Sequence, residues 1–500
     1  ARRPACASWT TFWPDTEDMA MNKRMIVWLL GALLLIESGL MLLPLVTALL
    51  YREWTGLYFL YTILGAAAAG GLMMLVTRPK NKTIYARDGL MTVALSWIVL
   101  SLVGAVPFTL SREIPSYLDA VFEMISGFTT TGSSILPDVE ALSHCMLFWR
   151  SFSHWIGGMG ILVFMMAILR LEGGQGIHLL RAESPGPAVV KMVPRMADSS
   201  KILYTIYLAL TVIQILFYLA GGMPVFDALC NTFGTAGTGG LAIKRDSFLS
   251  YSYYAQTVTT VFMALFGVNF SIYFFLLRRK FDLVWKNTEL RWYLGLIFGA
   301  IAVITVNTLS YYPRVYDAFH HAAFAVSSII TTTGYGTVDF NLWPELSRVI
   351  LVFLMIIGAC AGSTGGGLKV SRLIILFRAA RAEIHRLLHP HTVKVMQMDG
   401  KPISRESIRS VSTYLILYVF LVMASVLLVS LDNFDGSTTL TAVLATFNNI
   451  GPGLGMVGPT GSFAAFSPLS KIVLCLDMLF GRLELYPMLV LFCPSTWKRK

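Results

Sequence analysis

Long apolar stretches alternate with short polar ones along most of the chain. About 20 consecutive apolar residues are enough for an α-helix to cross a bilayer. Because these runs are continuous rather than alternating in polarity, they predict helices and not the strands of a membrane barrel. We therefore predict an all-α polytopic membrane protein with spans at 25–50, 56–77, 89–110, 144–170, 201–222, 251–277, 290–311, 343–388, 411–431 and 467–493.

Four shorter helical segments interrupt the later part of this pattern, near 116–129, 225–236, 316–331 and 438–448. Three of them contain an Asp-Ala pair near their start, at Asp119, Asp227 and Asp317. An aspartate there accepts free N–H groups and complements the positive end of the helix dipole. Segments of this length cannot cross a bilayer, so they are predicted to be re-entrant and packed within protein.

A glycine-containing stretch follows each short helix, at 130–133, 237–240, 332–336 and 449–453. The third contains Thr-Thr-Gly-Tyr-Gly, one residue away from the filter loop of potassium channels. Glycine lets the backbone turn its carbonyls towards an ion without a side chain in the way. Four such loops predict one selectivity filter, formed by Thr131, Gly132, Thr238, Gly239, Thr333, Gly334, Ile450 and Gly451.

The second loop leaves the choice of filter glycine open, because Gly237 and Gly240 compete with Gly239. Gly239 is preferred for its distance from Asp227, which resembles the distance between Asp119 and Gly132.

Composition supports a membrane protein and excludes several other classes. The chain is 55% hydrophobic and only 13% charged, which is far from the composition of a soluble domain. Its net charge of +11 does not indicate a nucleic-acid partner, because the basic residues lie in short loops between spans. By the positive-inside rule these loops and both termini are cytoplasmic, and the glycine loops face outside. The basic loops are 78–87, 278–291, 394–409 and 498–500.

Acidic residues gather on the predicted outer side. They form either an acidic mouth that concentrates cations or ordinary solvated loops. The residues are Asp138, Glu140, Asp246, Asp339, Glu345, Asp432 and Asp435.

The order span, short helix, glycine loop, span occurs four times. Each repeat enters and leaves on the cytoplasmic side, so the repeats are parallel around a pseudo-fourfold pore, unlike the inverted repeats of many secondary transporters. Residues 1–20 are predicted to be a disordered extension or foreign to the natural chain. The remaining units are a two-helix unit at 21–80 and pore repeats at 89–170, 201–278, 290–388 and 411–497.

A cluster of small residues breaks the eighth span and is a candidate gate. Each glycine costs about 1 kcal/mol in a helix relative to alanine, and a broken helix at membrane depth must lie inside protein or beside a water-filled cavity. A close helix contact through small residues is the alternative. The gate residues would be Gly358, Gly362, Ser363, Thr364, Gly365, Gly366 and Gly367, together with Arg482 in the last span.

Two basic residues need a partner or a path to water: Lys369 lies just past this break, and Arg482 lies deep in the last span. Arg482 at that depth costs about 2.5–3.5 kcal/mol and must face a cavity or a partner, for which Asp477 and Glu484 are candidates. Lys369 is expected to extend to the membrane interface.

Several of these motifs together resemble the TrkH-type subunits of the Trk/Ktr/HKT potassium-transporter superfamily. They lie at 126–132, 362–369, 448–455 and 481–484. The resemblance implies a pore within each subunit, potassium as substrate with no bound cofactor, and a bacterial inner-membrane location. It also implies a homodimer, a cytosolic TrkA-type nucleotide-binding ring, and a position for Arg482 in the pore beneath the filter.

Other functions are kept as alternatives. A symporter driven by protons or sodium is one, and a non-conducting membrane scaffold for a cytosolic ring is another. No Ser-His-Asp arrangement or facing pair of carboxylates is apparent, so an enzyme is disfavoured. His385 and His389 have metal-ligand spacing on a helix, but a solvated extension that docks lipid headgroups or a cytosolic partner is preferred.

Overall fold

The computed structural model describes residues 21–79, 84–158, 160, 196–389 and 396–497. The expected extension 1–20, the end of the fourth predicted span beyond Gly160 and the basic residues 498–500 lie outside the described residues. The first half of the described chain forms helices α1 Lys23–Leu40, α2 Leu42–Tyr51, α3 Gly56–Val76, α4 Ala86–Leu110, α5 Tyr117–Phe128, α6 His144–Gly158, α7 Met196–Ala220, α8 Val225–Gly237, α9 Tyr253–Phe266 and α10 Phe270–Leu277.

The second half is also helical apart from one hairpin, β1 Gln397–Met398 with β2 Lys401–Pro402. Its helices are α11 Phe281–Lys286, α12 Thr288–Thr308, α13 Val315–Ile330, α14 Glu345–Ile357, α15 Val370–Leu388, α16 Arg405–Val429, α17 Gly436–Phe447, α18 Pro468–Arg482, α19 Tyr486–Phe492 and α20 Pro494–Trp497.

Among the described residues, 6 helices are long and apolar enough to cross a membrane, or up to 7 if the bent pair α9–α10 is one span. The predicted helical membrane protein is thus confirmed. Four predicted spans are not continuous helices, and of these breaks only the one in the eighth span was predicted. The first span is divided at Met41 between α1 and α2. The sixth bends by 91° between α9 and α10, the eighth stops at Ile357 and resumes at Val370, and the last stops at Arg482, where Glu484 and Leu485 have positive φ.

The four short helices α5, α8, α13 and α17 start within two residues of their predicted positions. Their aspartates do not cap them as expected, since the carboxylates of Asp119, Asp227 and Asp317 bond to Lys471 Nζ at 2.7 Å, Tyr251 Oη at 2.8 Å and Tyr253 Oη at 3.3 Å. They still place acidic residues in the first turn of each helix, as the dipole favours.

A true aspartate cap begins α17. Asp435 accepts a hydrogen bond from Thr438 N at 3.0 Å, and its bonds to Ser437 and Thr438 lower the pKa of its carboxyl to about 2. The carboxylate is therefore ionised at neutral pH and complements the positive end of the helix dipole.

The short helices pack in a cyclic pattern. Each contacts the helix that follows the glycine loop of the preceding repeat: α8 contacts α6, α13 contacts α9, α17 contacts α14, and α5 contacts α18, which closes the circle. Protein therefore surrounds all four helices, as re-entrant segments require.

Candidate ion-conducting site

The four glycine loops share one backbone conformation. One or two residues after each short helix a residue takes positive φ. Two residues further along, Gly132, Gly334 and Gly451 of the first, third and fourth loops take φ of +86°, +87° and +96°. In the second loop Gly240 has φ +67°. The positive-φ residues that precede these glycines are Thr130, Thr238, Thr332 and Asn449. Such values favour glycine at the second position because a Cβ is strained there.

A hydrogen bond fixes which residues are equivalent. In every loop the residue before the glycine donates its N–H to the carbonyl five residues earlier in the short helix. The bonds are Thr131 N to Ser126 O at 2.8 Å, Gly239 N to Gly234 O at 2.9 Å, Thr333 N to Ser328 O at 2.8 Å and Ile450 N to Ala445 O at 2.8 Å.

The equivalence corrects the second loop by one residue. Gly240, and not Gly239 or Gly237, corresponds to Gly132, while Thr238 corresponds to Thr130. The sequence carried a signal for this, because Asp227 and Gly240 have the same separation as Asp119 and Gly132. Three glycines within four residues, Gly237, Gly239 and Gly240, hid the register, since any of them tolerates the bent backbone.

The loops contact one another in a closed ring. A Cβ added to Gly132 would overlap Gly239 O of the second loop, and one on Gly240 would overlap Thr333 O of the third. A Cβ on Gly334 would overlap Ile450 O of the fourth, and one on Gly451 would lie 2.9 Å from Thr131 O of the first. The four glycines and the four preceding carbonyls therefore meet around one axis, although the residues come from distant parts of the chain.

Two threonine hydroxyls in the ring are used locally. Thr131 and Thr333 pair with Thr129 at 2.7 Å and with Thr331 at 2.8 Å, and Asn449 Nδ2 donates to Thr131 Oγ1 at 2.9 Å. These bonds hold the first and third loops in shape.

A buried ion pair connects the first two loops. Arg150 Nε lies 2.5 Å from Glu123 Oε1, and the two side chains are 2% and 0% exposed. Glu123 accepts from Ile135 N at 3.0 Å beyond the first loop, and Arg150 Nη1 donates to Ala242 O at 2.6 Å beyond the second. The sequence analysis missed this pair, although a glutamate and an arginine within apolar segments could have indicated it.

The other neighbouring loops are joined by simpler contacts. Phe248 N donates to Gly336 O at 2.9 Å between the second and third repeats, and Gly455 N donates to Asn341 Oδ1 at 3.0 Å between the third and fourth. Phe463 N donates to Ser134 O at 2.8 Å between the fourth and first. Tyr335, in the channel-like third loop, is buried and bonds through Oη to Asn231 O at 3.3 Å.

A small cavity of about 80 Å³ lies beside the ring, among the residues that follow the four glycines, with Gly132, Gly240, Gly334 and Gly451 in its wall. Its charged lining residues in the described chain are Arg150, Lys244 and Arg245. The predicted acidic mouth is therefore not what surrounds this cavity.

The acidic residues instead have local partners. Glu140 accepts from Arg245 N at 3.2 Å, Asp432 accepts from Ser467 N at 2.9 Å, and Asp339 accepts from Asn341 N at 3.0 Å. Glu345 pairs with Arg348.

The intramembrane segment 358–369 lies against the residues that precede the glycines of the third and fourth loops. Positive φ at Gly358, Gly362 and Gly367 turns the chain out of the helix between α14 and α15. Gly366 N donates to Thr332 Oγ1 at 2.6 Å, and Thr364 Oγ1 donates to Phe266 O at 3.2 Å. These contacts place the segment directly beneath the third loop.

Further contacts fix the rest of the segment. Gly365 and Gly366 approach Thr331 O and Asn448 O so closely that a Cβ would meet them. Ser363 Oγ donates to Cys360 O at 2.6 Å, and Glu289 accepts from Ala361 N at 2.7 Å.

Arg482 connects this segment to the first repeat. Its guanidinium donates to Thr364 O at 2.8 Å and to Gly158 O at 2.9 Å, and it also bonds to Gly157 O. The acidic residues considered as partners are engaged elsewhere, since Glu484 pairs with Arg372 and Asp477 accepts from Ser425 Oγ at 2.6 Å.

Lys369 does not reach the membrane interface as predicted. It is 2% exposed, and its ammonium group donates to Gly365 O within the segment. The backbone at Lys369 has φ +78°, which turns the side chain back into the protein.

The histidines show packing contacts. His320 Nε2 lies 2.7 Å from Gln256 Oε1, and His321 Nδ1 lies 2.9 Å from Thr337 Oγ1. No group of three or more metal-ligating side chains occurs among the residues that the structure covers.

Comparison with known proteins identifies the family. The profile of the TrkH family, described as a cation transport protein, matches residues 58–499. The chain is 37% identical over 488 residues to the Trk system potassium uptake protein TrkH of Salmonella typhimurium, which covers 96% of this chain and 100% of the relative. It is 31% identical over 477 residues to the Trk system potassium uptake protein TrkI of Halomonas elongata, covering 95% of this chain and 97% of the relative.

The fold matches the crystal structure of the potassium transporter TrkH from Vibrio parahaemolyticus. The TM-score is 0.85 at 33% identity, over 95% of this chain and 99% of that one. The resemblance predicted from the sequence motifs is therefore confirmed, and the chain belongs to the TrkH family of cation transport proteins, which are not enzymes.

Proposed function

We propose that this chain takes up potassium through a pore whose filter is the ring of four glycine loops. The relatives are named as potassium uptake proteins. The observation that carries the proposal is the cyclic contact of Gly132, Gly240, Gly334 and Gly451 with the carbonyl that precedes the glycine in a neighbouring loop. These carbonyls belong to Thr131, Gly239, Thr333 and Ile450.

The chemistry of the ring favours a cation that has lost its water. Carbonyl dipoles replace the hydration shell of the ion. The C-terminal ends of α5, α8, α13 and α17 lead into the loops, and the negative end of a helix dipole favours positive charge. The absence of a Cβ at the four glycines lets each of them approach a backbone carbonyl of a neighbouring loop.

Opening is assigned to the segment 358–369 together with Arg482. The segment lies between the ring and the inner side of the chain, and Arg482 fastens it to Gly157 and Gly158 of the first repeat. A positive charge at this position also opposes a resting cation. Movement of the segment away from the ring requires these hydrogen bonds to break. Arg482 is therefore assigned the role of holding the segment in its closed position.

Partners and location complete the proposal. We place the chain in the bacterial inner membrane with both termini cytoplasmic, because its basic loops lie on one predicted side. The relatives are named as proteins of a Trk system. This name supports an association of the chain with other protein components of such a system. A homodimer and a cytosolic TrkA-type ring remain predictions from the family resemblance.

The filter is tested by adding a side chain to it. We expect Gly132→Ser and Gly334→Ser to lower the preference for potassium over sodium by at least about tenfold, since lost coordination worth about 1.4 kcal/mol is a tenfold change. Purified protein in liposomes is compared for potassium, rubidium and sodium flux. Gly222→Ser is the matched control, because Gly222 also has φ +77° but nothing lies within 4 Å of its added Cβ.

The same liposomes separate the alternatives. A current that reverses at the potassium equilibrium potential whatever the proton or sodium gradient excludes a symporter. Absence of rubidium uptake by the wild-type chain, with and without a cytosolic ring, favours a non-conducting scaffold. Unchanged flux ratios in both serine variants would remove the glycine ring from the explanation.

A further inference from the structure

An open cleft lies between α12 and α15, away from the glycine loops. Its volume is about 530 Å³, and it is lined by Thr288, Arg291, Trp292, Gly295, Leu296 and Arg378. Five of these residues belong to α12 with helical spacing, so they form one face of a helix that is apolar enough to span the membrane. Arg378 is supplied by α15.

Polarity changes along the length of this cleft. Thr288 and Arg291 lie at the start of α12, whereas Gly295 and Leu296 lie deeper in the apolar helix. Eight residues of α-helix rise roughly 12 Å, which is comparable to the reach of a lipid from its phosphate to its upper acyl chains. Gly295 leaves the deeper part open, since an added Cβ there would find nothing within 4 Å.

The polar end carries two positive charges. Arg378 donates to Gln397 O of the hairpin, which positions its guanidinium. Within the described chain neither Arg291 nor Arg378 forms a salt bridge with a carboxylate. Two guanidinium groups on one cleft match an anion such as phosphate, which they bind by parallel hydrogen bonds.

The start of α12 is not itself the anion site. Thr288 N donates to Asp399 Oδ1 at 2.7 Å, and Leu290 N donates to Asn287 Oδ1 at 2.8 Å. These bonds occupy the N–H groups that a helix start would offer to an anion. Recognition of an anion therefore depends on the arginine side chains. The nearby negative charge of Asp399 opposes the binding of an anion.

The neighbouring helix α11 marks the level of the membrane surface. It exposes Phe281, Leu283 and Trp285, of which Trp285 is 76% exposed. Lys280 precedes it and Lys286 is its last residue. A short helix with exposed aromatic and basic residues is typical of the lipid headgroup region. Since α11 directly precedes α12, the arginines of the cleft lie at headgroup level.

We propose that this cleft binds one anionic phospholipid, with its phosphate between Arg291 and Arg378 and an acyl chain along Trp292, Gly295 and Leu296. Charge complementarity and the gradient from guanidinium groups to an open apolar face select this occupant. A second copy of the chain would cover the apolar face but would need to supply a buried anion to both arginines. This site is independent of the proposed pore.

Native mass spectrometry of the full chain in mild detergent tests the proposal. Phosphatidylglycerol and phosphatidylcholine with the same acyl chains are offered at equal concentration. We expect the wild type to retain phosphatidylglycerol preferentially and Arg291→Gln with Arg378→Gln to weaken this retention roughly tenfold or more, as loss of charged hydrogen bonds implies. Arg381→Gln is the control, because Arg381 lies exposed on α15 and does not line the cleft.

Two further arms separate a lipid from other occupants. Gly295→Leu fills the apolar part and should weaken retention while both arginines remain, and excess inorganic phosphate should fail to displace the lipid. Equal retention by the glutamine variant and the wild type overturns the proposal, as does an equal loss in Arg381→Gln. Displacement by phosphate with no effect of Gly295→Leu, or a change of oligomeric state alone, also overturns it. If the glutamine variant misfolds, Arg291→Lys with Arg378→Lys must still weaken retention.

Discussion

At the scale of single residues, the least expected feature is the pair of Glu123 and Arg150. Both charges are removed from water, and each also bonds to the chain beside a different glycine loop. Burying two charges is costly, and their attraction offsets the cost only with good geometry and additional hydrogen bonds. This pair has both, so it acts as a positioning contact between the first and second loops.

Removing one partner tests that role. Arg150→Gln leaves the Glu123 carboxylate buried without its countercharge, so the free energy of unfolding should fall by about 3–5 kcal/mol. Thermal denaturation in detergent, followed by tryptophan fluorescence, measures the loss. Arg348→Gln is the control, because its partner Glu345 is 74% exposed and such surface pairs contribute about 0–1 kcal/mol. Similar losses in both variants would contradict a special role for the buried pair.

At the scale of elements, the break between α14 and α15 is the feature to which the proposed opening is assigned. Glycine provides the turns, but hydrogen bonds from other repeats determine where the segment lies. Phe270 N donates to Gly362 O at 3.0 Å, and Cys360 N donates to Gly267 O at 3.1 Å. The bend between α9 and α10 therefore supports the segment in the third repeat.

The proposed role of Arg482 in holding the segment 358–369 closed is tested by Arg482→Gln. The variant loses hydrogen bonds to Thr364, Gly157 and Gly158 and the positive charge beneath the ring. We expect rubidium uptake by the chain alone to rise roughly tenfold, since one charged hydrogen bond contributes about 1.5–3 kcal/mol. Arg386→Gln, which affects only a surface pair with Glu383, should leave uptake unchanged. Uptake at or below the wild-type rate would show that Arg482 does not hold the pore shut.

At the scale of the whole molecule, the cavity beside the four glycines is lined by positive charges, the opposite of what a cation pathway is expected to have. Lys244 and Arg245 line it with Arg150, and Lys244 Nζ lies 4.1 Å from the centre of the Tyr251 ring. Basic residues at an entrance lower the local concentration of cations. They would limit entry when little salt is present to screen them.

Neutralising Lys244 and Arg245 should therefore speed uptake. We expect Lys244→Gln with Arg245→Gln to raise initial rubidium uptake about twofold to tenfold at low ionic strength. The difference should vanish near 1 M salt, where the Debye length is about 3 Å. Lys280→Gln with Lys286→Gln, on the opposite side, is the control. A rate increase that persists in high salt would indicate a local structural effect rather than relief of long-range electrostatic repulsion.

The sequence by itself determined the positions of most helices, the order of the short helices and glycine loops, and the break in the eighth span. These properties depend on the length and period of apolar runs and on glycine, all of which are local in the chain. The four short helices could accordingly be located to within two residues. The family could also be identified, because its motifs are short and contiguous.

Only the tertiary structure decided the register of the second loop, the partners of Arg482 and Lys369, and the pair of Glu123 and Arg150. Arg482 and its partner Gly157 are 325 residues apart in the chain. Within the intramembrane segment, Lys369 and Arg482 each donate to a backbone carbonyl. Every residue carries a carbonyl, so composition and spacing cannot single out one as a partner. Contacts of this kind arise when four separate repeats close into a ring, and their geometry is not encoded in any one segment.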